Sequence, residues 1–120
     1  TLWGTGLPKR EFLYVDDMAR ASIHIMNIDK KTYDKYTSSM CNHINVGSSQ
    51  DLNIKELAQK IKKVTNFKGV INFDQSKPDG VVRKFLDSNR LNNLGFKPEI
   101  SLDEGLLKTY RDYIKFNAKI

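Results

Sequence analysis

An α/β chain with mixed α+β character, built as a small sheet with covering helices, is what this sequence predicts. Three observations carry that prediction. Short runs of aromatic and β-branched residues recur at 11–15, 43–47 and 69–74. Stretches with apolar residues at three- and four-residue spacing lie between and after them, most clearly at 54–64 and 101–117. The two kinds of stretch alternate, with no repeat and no low-complexity linker between them. The 120 residues amount to one domain or a part of a larger one.

Residues 1–10 read as loop, because Gly4, Gly6 and Pro8 are turn formers. "EFLYV" (11–15) reads as a short strand. Asp16 is placed to cap a helix over about 16–28, carried by Ala19, Ser22, Ile23 and Met26 at helical spacing. Residues 29–37 are polar with two tyrosines and are compatible with a short helix. Residues 38–42 are loop, and "HINVG" (43–47) is a strand with a Gly stop. Ile54, Leu57, Ala58, Ile61 and Val64 form the apolar face of the next helix, with Asn53 and Glu56 spaced as a capping box. A strand at 69–74, a Pro-Gly loop at 75–82 and an extended piece at 83–87 follow. Residues 88–96 form a small helix ending near Gly95. The last helix, 101–117, opens on a Ser101/Glu104 box and buries Leu102, Leu106, Tyr110, Tyr113 and Ile114. The strands are few and short, so some of them are expected to belong to a sheet whose other strands are not in this chain.

Composition excludes several classes. No apolar run approaches the roughly 20 residues that cross a bilayer, and no membrane partner is expected. The N-terminus has no signal-peptide pattern. A single cysteine, Cys41, rules out an internal disulfide framework and fits a reducing, cytoplasmic setting. The net charge is +6, but the lysines are scattered and no block of five or six cations occurs. A solvated surface explains that pattern better than a nucleic-acid partner.

No complete active site is legible. "GTGLPK" (4–9) begins like a dinucleotide loop but lacks the third glycine and precedes a strand. Zinc-type Cys/His spacing is missing, and no metal site is expected. His24 and His43 read as structural, and Cys41 as an inert thiol without a cationic neighbour in sequence. Two loops remain: "WGTGLPKREF", with Trp3, Lys9 and Arg10, and "SKPDGVVRKFLD", with Lys77, Asp79, Arg83 and Lys84. Each joins turn formers, cations and a short strand. Such loops can present ammonium and guanidinium groups to a phosphate and an aromatic face to a ring. From spacing alone, solvated surface turns are the better-supported reading, since such composition is common in loops.

Taken in order, "LWGTGLPKREFLYVDDMARA", "HINVGSSQDLNIKELAQKI", "FDQSKPDGVVRKFLD", "LNNLGFKPEISLDEGL" and "TYRDYI" resemble the C-terminal part of the GDP-L-fucose synthases. These are extended short-chain dehydrogenase/reductases. The pairing of "WGTGLPKREF" with "KPDGVVRKFLD" is the specific part, whereas "REFLYVDDMA" and "NVG" are shared in looser form by other nucleotide-sugar epimerases and dehydratases. Val82 departs from the proline usual at that position, which is expected to loosen the loop.

The resemblance implies a single C-terminal substrate-binding segment over 1–120, opening in a substrate loop. The N-terminal dinucleotide-binding domain and the catalytic residues are expected to lie outside this chain. It implies that Trp3, Arg10, Asp79 and Lys84 bind a GDP-sugar. NADP is then the cofactor of the parent, bound elsewhere, and the parent is a homodimer that converts GDP-4-keto-6-deoxy-D-mannose to GDP-L-fucose. The 120-residue chain alone is expected to be inactive. The competing expectations are the substrate part of another nucleotide-sugar epimerase or dehydratase, and a non-enzymatic basic binding module.

Overall fold

Two small sheets and five helices make up residues 1–117, the part of the chain that the computed structural model describes. The first sheet pairs β1 (Leu2–Trp3) in parallel with β4 (Phe73–Asp74), Leu2 opposite Phe73 and Trp3 opposite Asp74. The second has three strands. Its centre is β2 (Lys9–Glu11), antiparallel to β3 (Asp51–Asn53) and parallel to β5 (Arg83–Lys84). The helices are α1 (Val15–Met26), α2 (Lys30–Tyr36), α3 (Ile54–Val64), α4 (Asn89–Asn93) and α5 (Leu102–Asn117).

Local chemistry accounts for most helix ends. Asn53 accepts the Glu56 amide at 2.7 Å, and Glu56 accepts the Asn53 amide at 3.0 Å, completing the expected box before α3. Asp29 caps α2 through the Thr32 amide at 3.0 Å, so the polar 29–37 stretch does form a helix. Past α4, Gly95 adopts φ +90°, and the Phe96 and Gly95 amides return to the carbonyls of Leu91 and Asn92. The expected box at α5 forms by half. Ser101 accepts the Glu104 amide at 3.3 Å, but the Glu104 carboxylate pairs with Lys108.

Several expectations shift. The 1–10 loop contains both β1 and the start of β2. The strand expected at 11–15 pairs only at Glu11, because its partners β3 and β5 lie opposite Lys9–Glu11 and Val15 is already helical. Tyr14, extended at φ −69° and ψ 142°, is the N-cap of α1 and uses no side chain. Asp16 is therefore not the cap. It sits with Asp17 in the first turn, where negative charge meets the positive end of the helix dipole. Residues 43–47 run without a ladder partner among the described residues. Ile44 and Val46 still pack on the core of Ala21, Leu91 and Phe96. Of the 69–74 run, only Phe73–Asp74 pairs. On α5, Leu102, Leu106 and Tyr110 are half-buried, whereas Tyr113 and Ile114 are exposed. α3 packs against α5 but is 11 residues long against 16.

Candidate functional site

The three-stranded sheet sorts four cations onto two faces. Side chains alternate along a strand, and residues opposite one another share a face. Arg10 stands opposite Lys84, and Lys9 opposite Arg83. On the Lys9 face Arg83 is neutralised, whereas Lys9 itself makes no ion pair among the described residues. Arg83 pairs with Asp51 and lies 4.4 Å over the Phe85 ring. The Arg83 hydrogen bond, with the charges of Arg83 and Lys9 behind it, holds the Asp51 carboxyl below its ordinary value.

On the other face, neither Arg10 nor Lys84 meets a carboxylate among the described residues. Arg10 is half-buried. Its Nη1 donates to the carbonyls of Lys9 at 2.6 Å and Val81 at 2.7 Å. Those bonds fix the direction of the guanidinium without cancelling its charge, which is what an anion site needs.

Asp79 lies in the loop between β4 and β5 and joins the two sequence-predicted loops. It accepts the Thr5 amide at 2.8 Å and the Thr5 hydroxyl at 2.6 Å. The hydroxyl bond is the larger cause, and the amide the second, of a carboxyl held below its ordinary value. Gly4 makes the approach possible: it adopts φ +77°, and a Cβ there would collide with Asp79 Oδ1. The Lys9 amide also donates to the Val82 carbonyl at 2.8 Å. A proline at 82 would keep that acceptor, so this link is independent of the Val82 substitution. Trp3, at the end of β1, is 72% exposed.

Trp3, Arg10, Asp79 and Lys84 thus come from β1, β2, the 75–82 loop and β5: Arg10 and Lys84 share a face of the three-stranded sheet, whereas Trp3 lies in the other sheet. Their states differ. Trp3 and Lys84 are exposed, Arg10 is oriented, and Asp79 already has both oxygens engaged within the chain.

Other residues escaped sequence reasoning. Glu11 accepts the amides of Ser49 at 2.7 Å and Leu86 at 3.0 Å, tying the entrance to β3 and the exit of β5 to β2. Asp17, fully buried, accepts the amides of Glu99 and Ile100. Cys41 does have a cationic neighbour: Arg90 Nη1 lies 3.1 Å from its sulfur and also donates to the Cys41 and His43 carbonyls. His24 Nε2 is 2.8 Å from the Leu94 carbonyl and its ring packs on Phe96, a structural placement. These links span 38 to 83 residues, so no local pattern in the sequence signals them.

A cleft of about 540 Å³ lies elsewhere, lined in part by Tyr14, Gln50, Lys60, Ser101 and Asp103. None of the four predicted residues lines it. Its cation, Lys60, is neutralised by Asp103 at 2.7 Å. Arg10 and Lys84, which meet no carboxylate among the described residues, are the better candidate for an anionic ligand. Among the described residues no group of three or more His, Cys, Asp or Glu could hold a metal ion, and no helix is long and apolar enough to cross a membrane.

The glycine loop does not fit a dinucleotide. It joins strand to strand instead of strand to helix, and the α3 N-terminus that meets it has its Ile54 and Lys55 amides already taken by the Pro8 and Gly6 carbonyls. The group pressed against Gly4 is the Asp79 carboxylate, a negative charge where a phosphate would have to lie.

Comparison with known proteins gives a consistent result. Residues 1–47 match the NAD dependent epimerase/dehydratase family. The chain is 52% identical over 114 residues to the GDP-L-fucose synthase of Escherichia coli (strain K12), covering 95% of this chain and 36% of that protein. Among solved structures, a GDP-6-OMe-4-keto-L-xylo-heptose reductase from C. jejuni superposes with a TM-score of 0.85 at 36% identity, over 96% of this chain and 33% of that one. A GDP-D-glycero-L-gluco-heptose synthase from Campylobacter jejuni, solved in the presence of NADPH, gives 0.82 at 35%, over 93% and 32%. The chain spans about a third of the length of the relatives it matches. By sequence over nearly its whole length, and by its mixed α/β fold, the chain is similar to one third of a GDP-L-fucose synthase of the short-chain dehydrogenase/reductase type.

Proposed function

We propose that this chain is the C-terminal substrate-binding part of an NADP-dependent epimerase-reductase that makes GDP-L-fucose from GDP-4-keto-6-deoxy-D-mannose. The observation that carries the proposal is the register of Arg10 against Lys84, two cations without carboxylate partners on one face of the sheet. Arg10 makes two parallel hydrogen bonds to a diphosphate, and Lys84 adds a point charge beside it. Trp3 offers an exposed ring to the base or sugar. Asp79 holds the Thr5 loop in place and turns its remaining lone pairs to ligand hydroxyls.

The similar proteins support GDP as the nucleotide, since the E. coli synthase and both Campylobacter enzymes are named for GDP-sugars. They differ in the sugar, and the 52% identity favours the fucose series over the heptose series. NADP belongs to the parent protein and binds in an N-terminal domain outside this chain. On this reading the parent is a cytoplasmic homodimer that binds neither nucleic acid nor membranes, and the chain alone turns over no substrate.

The test is calorimetric titration of the full-length protein with GDP-sugar, UDP-sugar and guanosine. Binding of GDP-sugar in preference to the other two is expected. Equal binding of UDP-sugar, or no response to any nucleotide, overturns the proposal. For the chain alone, substrate-dependent consumption of NADPH would refute its inactivity.

A further inference from the structure

We infer that Lys77 is a third cation of the anion site, stored over Trp3 and delivered to the diphosphate of a nucleoside-diphosphate ligand. The inference rests on the proposed nucleotide-sugar site and adds a residue to it.

Lys77 is held where it is by Asp74. Trp3 lies opposite Asp74 in the β1–β4 register. The Asp74 carbonyl accepts the Gly4 amide at 2.9 Å and the Lys77 amide at 3.2 Å. The Asp74 side chain accepts the Ser76 amide at 3.0 Å and its hydroxyl at 2.6 Å, closing the turn from which Lys77 emerges. One residue therefore fixes the glycine loop, the tryptophan's strand and the lysine's turn together. The outcome is a Lys77 ammonium 5.9 Å from the centroid of the Trp3 ring.

Charge bookkeeping separates Lys77 from its neighbour Arg83. Arg83 also lies over an aromatic ring, but its charge is matched by Asp51. Lys77 has no carboxylate within ion-pair distance among the described residues. A ring face at an exposed site holds an ammonium weakly. A phosphate oxygen carries a full charge and accepts a hydrogen bond, so it competes successfully for the same group. As Lys77 leaves the ring, that face of Trp3 becomes available to a planar or sugar surface. Binding of the diphosphate and stacking on Trp3 are thereby coupled.

The experiment titrates the full-length protein, as wild type and as K77M, K77R and R10A, with GDP and with guanosine at two salt concentrations. K77M keeps an unbranched side chain one atom shorter and removes its charge. GDP affinity is expected to fall about ten- to thirtyfold in K77M, the scale of one lost charge-assisted hydrogen bond. K77R is expected to restore most of it, guanosine binding to stay unchanged, and the salt dependence for GDP to become shallower in K77M. Wild-type GDP affinity in K77M, alongside a loss in R10A, overturns the role of Lys77 and leaves the site standing. Unchanged affinity in both variants overturns the site as well. An equal loss for GDP and guanosine in K77M overturns the anion contact, because it means that the turn itself has been disturbed.

Discussion

The Asp79 carboxylate accepts both the amide and the hydroxyl of Thr5, at 2.8 and 2.6 Å, joining positions 74 residues apart in sequence. That pair clasps the β1–β2 loop to the loop before β5, and so sets where Trp3 lies relative to Arg10 and Lys84. Its acid dependence follows from the direction of the Asp79 shift. A folded-state pKa below the ordinary carboxyl value of 3.8 means that ionised Asp79 stabilises the clasp fully above that value. The contribution is lost as pH falls through the lower folded value. The clasp is thus expected to be constant from pH 8 to 5 and to open only below about pH 4. Trp3 is the chain's one tryptophan and reports on it by fluorescence. Asp79→Asn is expected to flatten the acid limb. An acid limb identical to wild type would assign the signal to other carboxylates and deny the clasp its role.

Gly4→Ala is expected to cost about 1–3 kcal/mol, since φ is +77° there and the new Cβ meets Asp79. The same substitution at Gly95, φ +90° with open space around it, carries the backbone cost alone. Urea midpoints of the two variants check the difference. In the full-length protein Gly4→Ala should also weaken GDP-sugar binding, and Gly95→Ala should not. Equal destabilisation with equal affinities would mean that the Asp79 approach is not tight in solution.

A second long-range carboxylate bears on stability. Fully buried Asp17 accepts the amides of Glu99 at 3.1 Å and Ile100 at 2.8 Å, and pairs with Arg20 at 2.9 Å. It anchors α1 to the turn that precedes α5. Asp17→Ala strands two amides, while Arg20 keeps its pairing with Glu99, and is expected to destabilise by about 3 kcal/mol. Asp17→Asn retains one acceptor oxygen and is expected to cost less. Denaturant unfolding monitored by circular dichroism orders the two variants. A smaller loss for alanine than for asparagine would show that burial of the charge outweighs its hydrogen bonds.

How legible each feature was in the sequence depends on the range of the interaction that makes it. The Asn53–Glu56 box, the α3 stripe and the Gly95 cap are written within four or five residues; the box and the cap appear as expected, and the stripe is half-buried except at Ile61, which is exposed. The short strands are written elsewhere. β2 runs over Lys9–Glu11 and not 11–15 because β3 and β5 lie opposite those residues, 40 and more positions away. "HINVG" has the composition of a strand but no partner among the described residues, so only its burial of Ile44 and Val46 survives. For the candidate site, the two loops and their cations were visible as composition. Which cations are neutralised was not: Asp51 selects Arg83, and Thr5 selects Asp79, through contacts across 32 and 74 residues.

The same register sharpens the comparison of the adjacent cations Lys9 and Arg10. Lys9 shares a face with Arg83 and adds its charge to the field that lowers the Asp51 pKa. Arg10 shares the opposite face with Lys84 and is steered by the carbonyls of Lys9 and Val81. Two neighbours on a strand cannot both face one phosphate. In the full-length protein, Arg10→Ala is therefore expected to remove a fork of hydrogen bonds to the diphosphate, at roughly 1.5–3 kcal/mol, or about ten- to a hundredfold in affinity. Lys9→Ala removes an exposed charge and is expected to cost under about 1 kcal/mol. Arg10→Lys should recover only part of the loss, because an ammonium does not reproduce the planar fork. Calorimetric titration of the three variants with GDP-mannose or GDP-fucose at matched ionic strength measures all of this. Equal losses for Lys9→Ala and Arg10→Ala, or a larger one for Lys9→Ala, would place the diphosphate on the Asp51 face, where Arg83 is already paired, and would reverse the assignment of the site.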